Sequence, residues 1–366
     1  MGQAPPGIDC NSDGRGTPFV KAGEFGERRP IIREWTTKPL KFAKSTDVLV
    51  CVVGATCGKL NLGADCAIGR SVAAIRSNPA LLNQGFLYAF LRGWTLRLRS
   101  GSQGSAQGVI TREMLASIPM PLPPLSEQER IVKLLDEADE LRKLRTQADR
   151  RTAALIPALF HEMFGDPLKK TSRLPILPLG QVVDLGSGAT PSKENPEFWS
   201  GRIPWVSPKD MKAEEIIDAE DHVSARAFEK SNLQLIPKDT VLIVVRGMIL
   251  AHTVPIRLCR VPVAINQDMK ALLPKQPIEP EFLRWSLQAQ HPHLLTQVST
   301  AGHGTKKLDS DRLREVNISV PPLPLQKEFA ARVSDIRAMQ AEQATSRRRL
   351  DDLFHSMLHR AFQGEL

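Results

Sequence analysis

Apolar residues recur at heptad spacing in residues 121–164, with Ile131, Ala138 and Leu159 in one position and Leu134, Leu141, Ala148 and Leu155 in another. Residues 321–362 repeat the register with Phe329, Ile336, Leu350 and Met357, and with Met339 and Leu353. A gapless shift of 198 positions superposes Gln128 on Gln326 and Phe164 on Phe362. The pattern predicts two long helices of about 38 residues, roughly 55 Å each at ~1.5 Å per residue. Arg145 and Thr152 interrupt the first stripe, Gln343 and Ser346 the second. Each helix needs a partner, and the simplest is the other, in a two-stranded coiled coil. The alternative is two amphipathic helices, each packed on its own domain. Pro157 is expected to kink or end the first helix near Ala153.

Ahead of each helix lie alternating apolar residues, Ile118, Met120 and Leu122 in one copy and Val316, Ile318 and Val320 in the other. Both runs read as short strands stopped by proline. Ser126 and Glu129 have capping-box spacing, and Pro324 suits a first helical turn. Further back, the halves match with small shifts. Ile110 falls on Leu308, Leu115 on Leu313, Asp47-Val48-Leu49-Val50 on Asp239-Thr240-Val241-Leu242, Ala67-Ile68 on Ala264-Ile265, Phe86-Leu87 on Phe282-Leu283, and Thr17-Pro18-Phe19-Val20 on Ile203-Pro204-Trp205-Val206. The expected architecture is α+β: two related globular mixed α/β modules, each followed by a long helix. Gly2 and Pro5 align with Gly188 and Pro191 at a shift of 186, which predicts that the first module lacks the counterpart of about residues 168–187. In the second module that segment, PILPLGQVVDLGS, reads as a strand or helix edge that helps close the domain.

Composition narrows the class. No run of about 18 apolar residues occurs and the first 19 residues are polar and proline-rich, so neither a membrane span nor a signal peptide is expected, and the expected location is the cytoplasm. The five cysteines (10, 51, 57, 66 and 259) show no zinc spacing and are expected to be buried thiols. Net charge is +9 and uneven. Residues 1–125 carry 15 Lys and Arg against 8 acids, while 126–164 carry 7 against 8. A positive excess in the globular regions attracts polyanions.

Catalytic motifs fail on inspection. Gly186-Ser-Gly188 lacks the last glycine of a dinucleotide loop, no phosphate-binding Gly-Lys-Ser/Thr occurs, and Asn195-Pro196-Glu197-Phe198 lacks the second proline of an amino-methyltransferase motif. No metal and no cofactor site is expected. Polar loops carry the candidate binding residues. In the first module, residues 92–107 are read as a polar loop offering Arg97, Arg99, Gln103 and Gln107, joined by Lys21 and Arg28. In the second, they are Lys193, Lys209, Arg246, Asn266, Gln267, Lys306 and Lys307. Arginine and lysine match guanine edges, asparagine and glutamine match adenine, and all grip phosphates. Any one taken alone is more simply a solvated charge.

The doubled signature PPLSEQERI and PPLPLQKEF, the closing ALFHEMFGD, and GSGATPSKENPEFWSGRIPWVSPKDM resemble the specificity subunit of type I restriction-modification systems, over nearly the whole chain. The resemblance implies target recognition domains at 1–122 and 167–320, spacer helices at 123–166 and 321–366, and an antiparallel coiled coil between them. It also implies a bipartite double-stranded DNA target and docking of two methyltransferase subunits on the helices. Restriction subunits would join through the assembled complex, and S-adenosylmethionine and ATP would belong to the partners. A coiled-coil scaffold that binds nucleic acid without sequence choice is the competing reading.

Overall fold

The computed structural model describes residues 1–100, 108–166 and 174–365. They form two compact units, Met1–Ala148 with Gln343–Leu366 and Asp149–Glu342. Each unit therefore takes a globular module, part of the first long helix and part of the second.

In the first unit, β1 (Thr17–Val20), β2 (Val48–Cys51), β3 (Leu60–Leu62), β4 (Cys66–Ile68) and β5 (Val72–Ile75) build two sheets. One is a three-stranded antiparallel sheet in the order β3-β2-β5. In the other, β1 runs parallel to β4, so that Phe19 faces Ala67 and Val20 faces Ile68. Helix α1 (Gln84–Ser100) packs Leu87, Phe90 and Leu91 against the three-stranded sheet. Its other face packs Phe86 and Ala89 on Ile131 and Leu135 of α2 (Leu125–Ala153) and on Phe354 and Leu358 near the C-terminus.

After a single turn residue, α3 (Leu155–Phe164) continues into the second unit. The helix is interrupted where Pro157 requires it, since proline at position 157 removes an amide donor and crowds the carbonyl of Ala153. There β6 (Ile176–Pro178), β7 (Val183–Ser187), β8 (Ile203–Val206), β9 (Thr240–Val244), β10 (Ile256–Cys259), β11 (Ala264–Ile265) and β12 (Met269–Pro274) precede α4 (Pro280–Gln288) and β13 (Asn317–Ser319). The principal sheet has the order β7-β12-β9-β10 followed by Glu215–Ile216, and β8 runs parallel to β11 as β1 does to β4. The chain closes with α5 (Leu323–Ala361).

The repeat is therefore structural. Phe86 and Phe282 are both fully buried, on α1 and α4. Phe362 meets Phe86 with ring centroids 5.1 Å apart, as Phe164 meets Phe282 at 4.9 Å. One pairing is off by a residue. Val53 bridges Val109 where Arg246 bridges Lys307, so Val48 corresponds to Val241 rather than to Thr240. The buried polar residues Asp47 and Thr240 then coincide.

The helix stripe also differs from expectation. Leu141, Leu155, Met339 and Leu353 are 40–54% exposed and lie off the seam. The buried or half-buried stripe is Gln128, Ile131, Leu135, Ala138, Arg142 and Arg145 on α2, and Gln326, Phe329, Val333, Ile336, Gln340 and Gln343 on α5. A spacing that alternates three and four residues fits either phase, and buried glutamine selects this one. Gln128 accepts from the Asn83 amide at 2.8 Å and donates to the carbonyls of Leu81 (2.9 Å) and Pro123 (2.8 Å). Gln326 accepts from the Glu279 amide at 2.9 Å and donates to Pro321 O at 2.7 Å. Within the first unit the helices run antiparallel, since Arg142 reaches Asp351 (2.6 Å) and Arg145 reaches Ser346 (2.9 Å). In the second, Gln340 donates to the Thr152 carbonyl at 3.0 Å. The helices pack on their domains and on each other.

Other expectations need correcting too. α2 begins at Leu125, so Ser126 lies inside the first turn and does not cap it. Residues 92–100 are not a loop but the end of α1, because Phe86, Leu87, Phe90, Leu91, Trp94 and Leu98 recur at helical spacing. The strand expected at residues 118–122 is not formed, whereas its counterpart β13 pairs with β6. Four cysteines are buried, with the Cys66 thiol pushed up to about 12 by burial, and Cys10 is half-buried.

A buried charge cluster pins α5 to the second domain. Arg337 grips Glu281 at 2.6 and 2.9 Å, with Arg284 (3.1 Å) and Trp285 Nε1 (3.1 Å) on the same carboxylate. Burial would push the Glu281 carboxyl up, but Arg337 hydrogen-bonded to it, then Arg284 and Arg260, hold it below the ordinary carboxylate range.

Gln326→Leu orphans a buried amide and a buried carbonyl, so urea unfolding of the full chain is expected to show a loss of about 1–3 kcal/mol per orphaned group. Glu281→Ala leaves buried guanidinium groups without their shared counter-charge and is expected to cost about 3–5 kcal/mol at neutral pH. A carboxyl whose folded pKa is depressed contributes fully above its unfolded value, near 4.5, and loses that contribution as pH falls through the folded one. The difference in melting temperature between parent and Glu281→Ala is therefore expected to shrink on acidification below pH 4.5.

Candidate nucleic-acid interface

Both units build one edge from the same backbone parts. In the first, the Gly69 amide donates to Val20 O at 2.9 Å, which ties the loop after β4 to the end of β1. In the second, the Asn266 amide donates to Val206 O at 3.0 Å, which ties the loop after β11 to the end of β8. A short 3₁₀ turn follows each strand. The Lys21 amide donates to Glu24 in one turn (2.9 Å), and the Ser207 amide donates to Asp210 in the other (2.8 Å). Gly2 and Gly188 lie against this edge, where an added Cβ would collide with the carbonyls of Ile68 and Gly69, or of Ile265 and Asn266.

Different side chains dress the shared edge. In the first unit Lys21, Arg33 and Arg70 line a cavity of about 870 Å³ together with Asn11, Glu24 and Glu34. Lys21 forms an ion pair with Glu34, and that hydrogen bond raises its pKa above the ordinary ammonium value. Arg33 and Arg70 are exposed. Sequence reasoning missed both, although Gly69-Arg70 occupies the repeat position of Asn266-Gln267 and the repeat itself was the signal.

The other first-unit candidates are spread out. Arg28 binds Asp136 of α2 with 2.8 and 2.9 Å contacts and thereby ties domain to helix. Arg97 lies over the Trp94 ring at 5.0 Å, and Arg99 donates to the Cys57 carbonyl at 2.6 Å, both from the last turn of α1. Gln103 and Gln107 lie outside the described residues.

The second unit gathers more of its candidates. A two-stranded ribbon, Ser299–Thr300 with Lys306–Lys307, bridges back to Arg246, and the Gly247 amide donates to Lys306 O at 3.0 Å. Gly247, with φ +130, and Gly304, with φ +78, permit the turns that bring these strands together. Arg246 and Val245 both donate through their amides to Asp268 O, which places the loop carrying Asn266 and Gln267 beside the ribbon. Lys306 donates to Thr300 at 2.8 Å, and Lys307 pairs with Asp309. Asn266 is nearly buried and accepts from the Asp268 amide, which shapes the loop, whereas Gln267 is exposed and accepts from Thr190. Lys209 is held by Asp221 (2.9 Å) and Glu220 (3.1 Å), which raise its pKa, and Lys193 is exposed on the loop before residues 196–198. That stretch forms a 3₁₀ turn that buries Phe198 beside Trp205. An edge of exposed cations, amides and open backbone suits phosphate and base-edge contacts.

The family model described as the type I restriction modification DNA specificity domain matches residues 3–150 and 176–348. The specificity subunit of the Escherichia coli restriction enzyme EcoR124I/EcoR124II is 32% identical over 221 residues, which is 58% of this chain and 53% of that protein. A putative type I specificity subunit of Methanocaldococcus jannaschii, MjaX, is 36% identical over 143 residues, covering 38% of this chain and 33% of that protein. The chain thus spans about half the length of the first of these relatives, and less of the second. A chain from a study of assembly and conformational transition of the type I R-M system superposes with a TM-score of 0.71 at 20% identity, covering 96% of this chain and 92% of that one. The HsdS subunit of Thermoanaerobacter tengcongensis superposes at 0.52 and 22% identity, covering 96% and 91%. Both solved structures share the fold.

Proposed function

The chain belongs to the family of type I restriction-modification DNA specificity domains, and from that premise we propose that it is the sequence-recognition subunit of such a system. In this reading residues 1–122 and 167–320 each read one half of a bipartite double-stranded DNA target. Residues 123–166 and 321–366 set the spacing and dock the methyltransferase subunits. Catalysis belongs to those partners. The observation that carries the reading is the shared edge: the same backbone bonds in both units, Gly69 to Val20 and Asn266 to Val206, but Lys21 and Arg70 on one and Ser207, Asn266 and Gln267 on the other. Two edges with the same backbone bonds and different polar faces are what two different half-sites require.

The exposed apolar residues of the helices support the docking role. Leu141 and Leu353 in the first unit correspond, at the shift of 198, to Met339 and Leu155 in the second, and all four are exposed. Each unit thus carries one copy of the same pair, which suits two copies of one partner.

Methylome sequencing of cells expressing the complex is expected to show a split motif. Arg70→Ala is expected to relax one block and Gln267→Ala the other, each by about 1–3 kcal/mol at a single position. A contiguous motif, or one indifferent to both changes, would refute the assignment. Lys306→Ala is expected to weaken binding to all duplexes and to reduce the salt slope by about one. For docking, the pair Leu141→Asp and Leu353→Asp is expected to lower the methyltransferase stoichiometry from two to one in native mass spectrometry, with DNA binding retained. An unchanged stoichiometry would place the partner elsewhere.

A further inference from the structure

Three buried side-chain nitrogens lack a hydrogen-bond partner among the described residues, and all three belong to one cluster in the second unit. They are the Nε atoms of Arg257 on β10, Arg284 on α4 and Arg337 on α5. A buried donor left unpaired is costly, and a buried guanidinium short of counter-charge more so. Arg337 and Arg260 each bind Glu215 and Glu281, and Arg260 also binds Asp239. Arg284 shares Glu281 at 3.1 Å. Arg257 donates only to the carbonyl of Ile256, at 2.9 Å, and forms no ion pair among the described residues. Burial, and then the neighbouring Arg284, pushes its guanidinium pKa below the ordinary value.

The fold does not require charge at these positions. Setting Phe282 on Phe86 puts Arg284 on Tyr88, and Arg257 lies opposite Leu242 as Asn61 lies opposite Leu49. Asn61 is fully buried, accepts from the Gly26 amide at 3.1 Å and donates to the carbonyls of Gly26 (3.2 Å) and Leu60 (2.7 Å). The first unit thus fills both places with neutral side chains. In the second, Arg257 and Arg284, the latter only 3% exposed, line a cavity of about 700 Å³ with Pro157, Phe160 and Trp285. Such a volume suits a small organic group rather than a single ion. Charge selects the class. The guanidiniums of Arg257, Arg260, Arg284 and Arg337 meet the carboxylates of Glu215, Asp239 and Glu281, which leaves them one negative charge short. Glu214 stands exposed at the rim, 3.8 Å from Arg284 and 3.7 Å from Arg337, beyond hydrogen-bond reach of either. A singly charged anion fits that deficit, and a dianion exceeds it.

We propose that this cavity binds a carboxylate carried on an apolar body, with the carboxylate on Arg257 and Arg284 and the apolar part against Pro157, Phe160 and Trp285. The same chemistry is offered by a free organic acid and by an acidic side chain of a docked protein.

Phenylacetate, titrated into the full chain and followed by ligand-observed NMR, is the probe. It is expected to bind at least ~10-fold more tightly than phenylacetamide, which keeps the ring and loses the charge, and more tightly than inorganic phosphate. That comparison needs no variant. Arg257→Gln is expected to abolish the preference for acid over amide, and Glu214→Gln to tighten phenylacetate binding by removing the negative charge at the rim. Equal affinity for acid and amide, a preference for phosphate, or phenylacetate binding indifferent to Arg257→Gln would each overturn the proposal. The source is read from the complex assembled with methyltransferase subunits. Phenylacetate that stays bound there supports a free acid as the occupant, and phenylacetate that is displaced supports an acidic side chain of the partner.

Discussion

One buried side chain at the head of each long helix determines how everything after it is phased. Gln128 and Gln326 each join the start of a long helix to the start of a domain helix through the amide of Asn83 or Glu279, and to the preceding proline's carbonyl. Asn83 caps α1 by accepting from the amides of Gly85 and Phe86, so the glutamine holds the cap in place. Counting forward from the glutamine in steps of three and four gives Ile131, Leu135, Ala138, Arg142 and Arg145 in one helix and Phe329, Val333, Ile336, Gln340 and Gln343 in the other. A buried amide side chain that both accepts and donates at fixed main-chain partners specifies one register, where an apolar seam would tolerate two.

That constraint explains what was legible in the sequence. The repeat, the helix interruption at Pro157 and the mixed modules all follow from patterns of apolar residues and prolines. The seam was misplaced because a count of hydrophobic positions skips glutamine, the residue that sets the phase. Arg97 and Arg99 were read as loop residues because their charges hid the α1 stripe beneath them. Among the candidate binding residues, Arg246, Lys306 and Lys307 are brought together by a β-bridge that no local spacing announces. Arg33 and Arg70 lie 37 positions apart and line one cavity because residues 35–36 pair with β1 and β1 pairs with β4.

Charge is used twice, and the two uses must be separated before any basic residue is assigned to a ligand. Arg28 with Asp136, and Arg92 with Asp139, fasten the first domain to α2 from the domain side. In the second unit the polarity is reversed: the helix supplies Arg337 and the domain supplies Glu281. Asp139 and Arg337 are repeat equivalents, so one helix position carries opposite charge in the two units, and its partners Arg92 and Glu281 stand at different places on α1 and α4. The count of 49 lysines and arginines therefore overstates what a polyanion meets, since those in the fastenings are cancelled by their partners and only the excess of +9 is left.

On the proposed reading, recognition falls to an edge tied by main-chain bonds and shaped by the side chains of Glu24, Asp210 and Asn266. The bonds from Gly69 to Val20 and from Asn266 to Val206 are made by main-chain atoms, so exposed side chains such as Arg70 and Gln267 can change without breaking them. Apart from Arg28, which follows the Ala22–Glu24 turn, the helix fastenings lie on α1, α2, α4 and α5, away from the edge. On the proposed reading, changes of exposed side chains on this edge alter specificity, while the helix fastenings carry stability from other residues. A chain that doubles one module can then carry two different polar edges on related scaffolds, which is what the proposed reading of two half-sites needs.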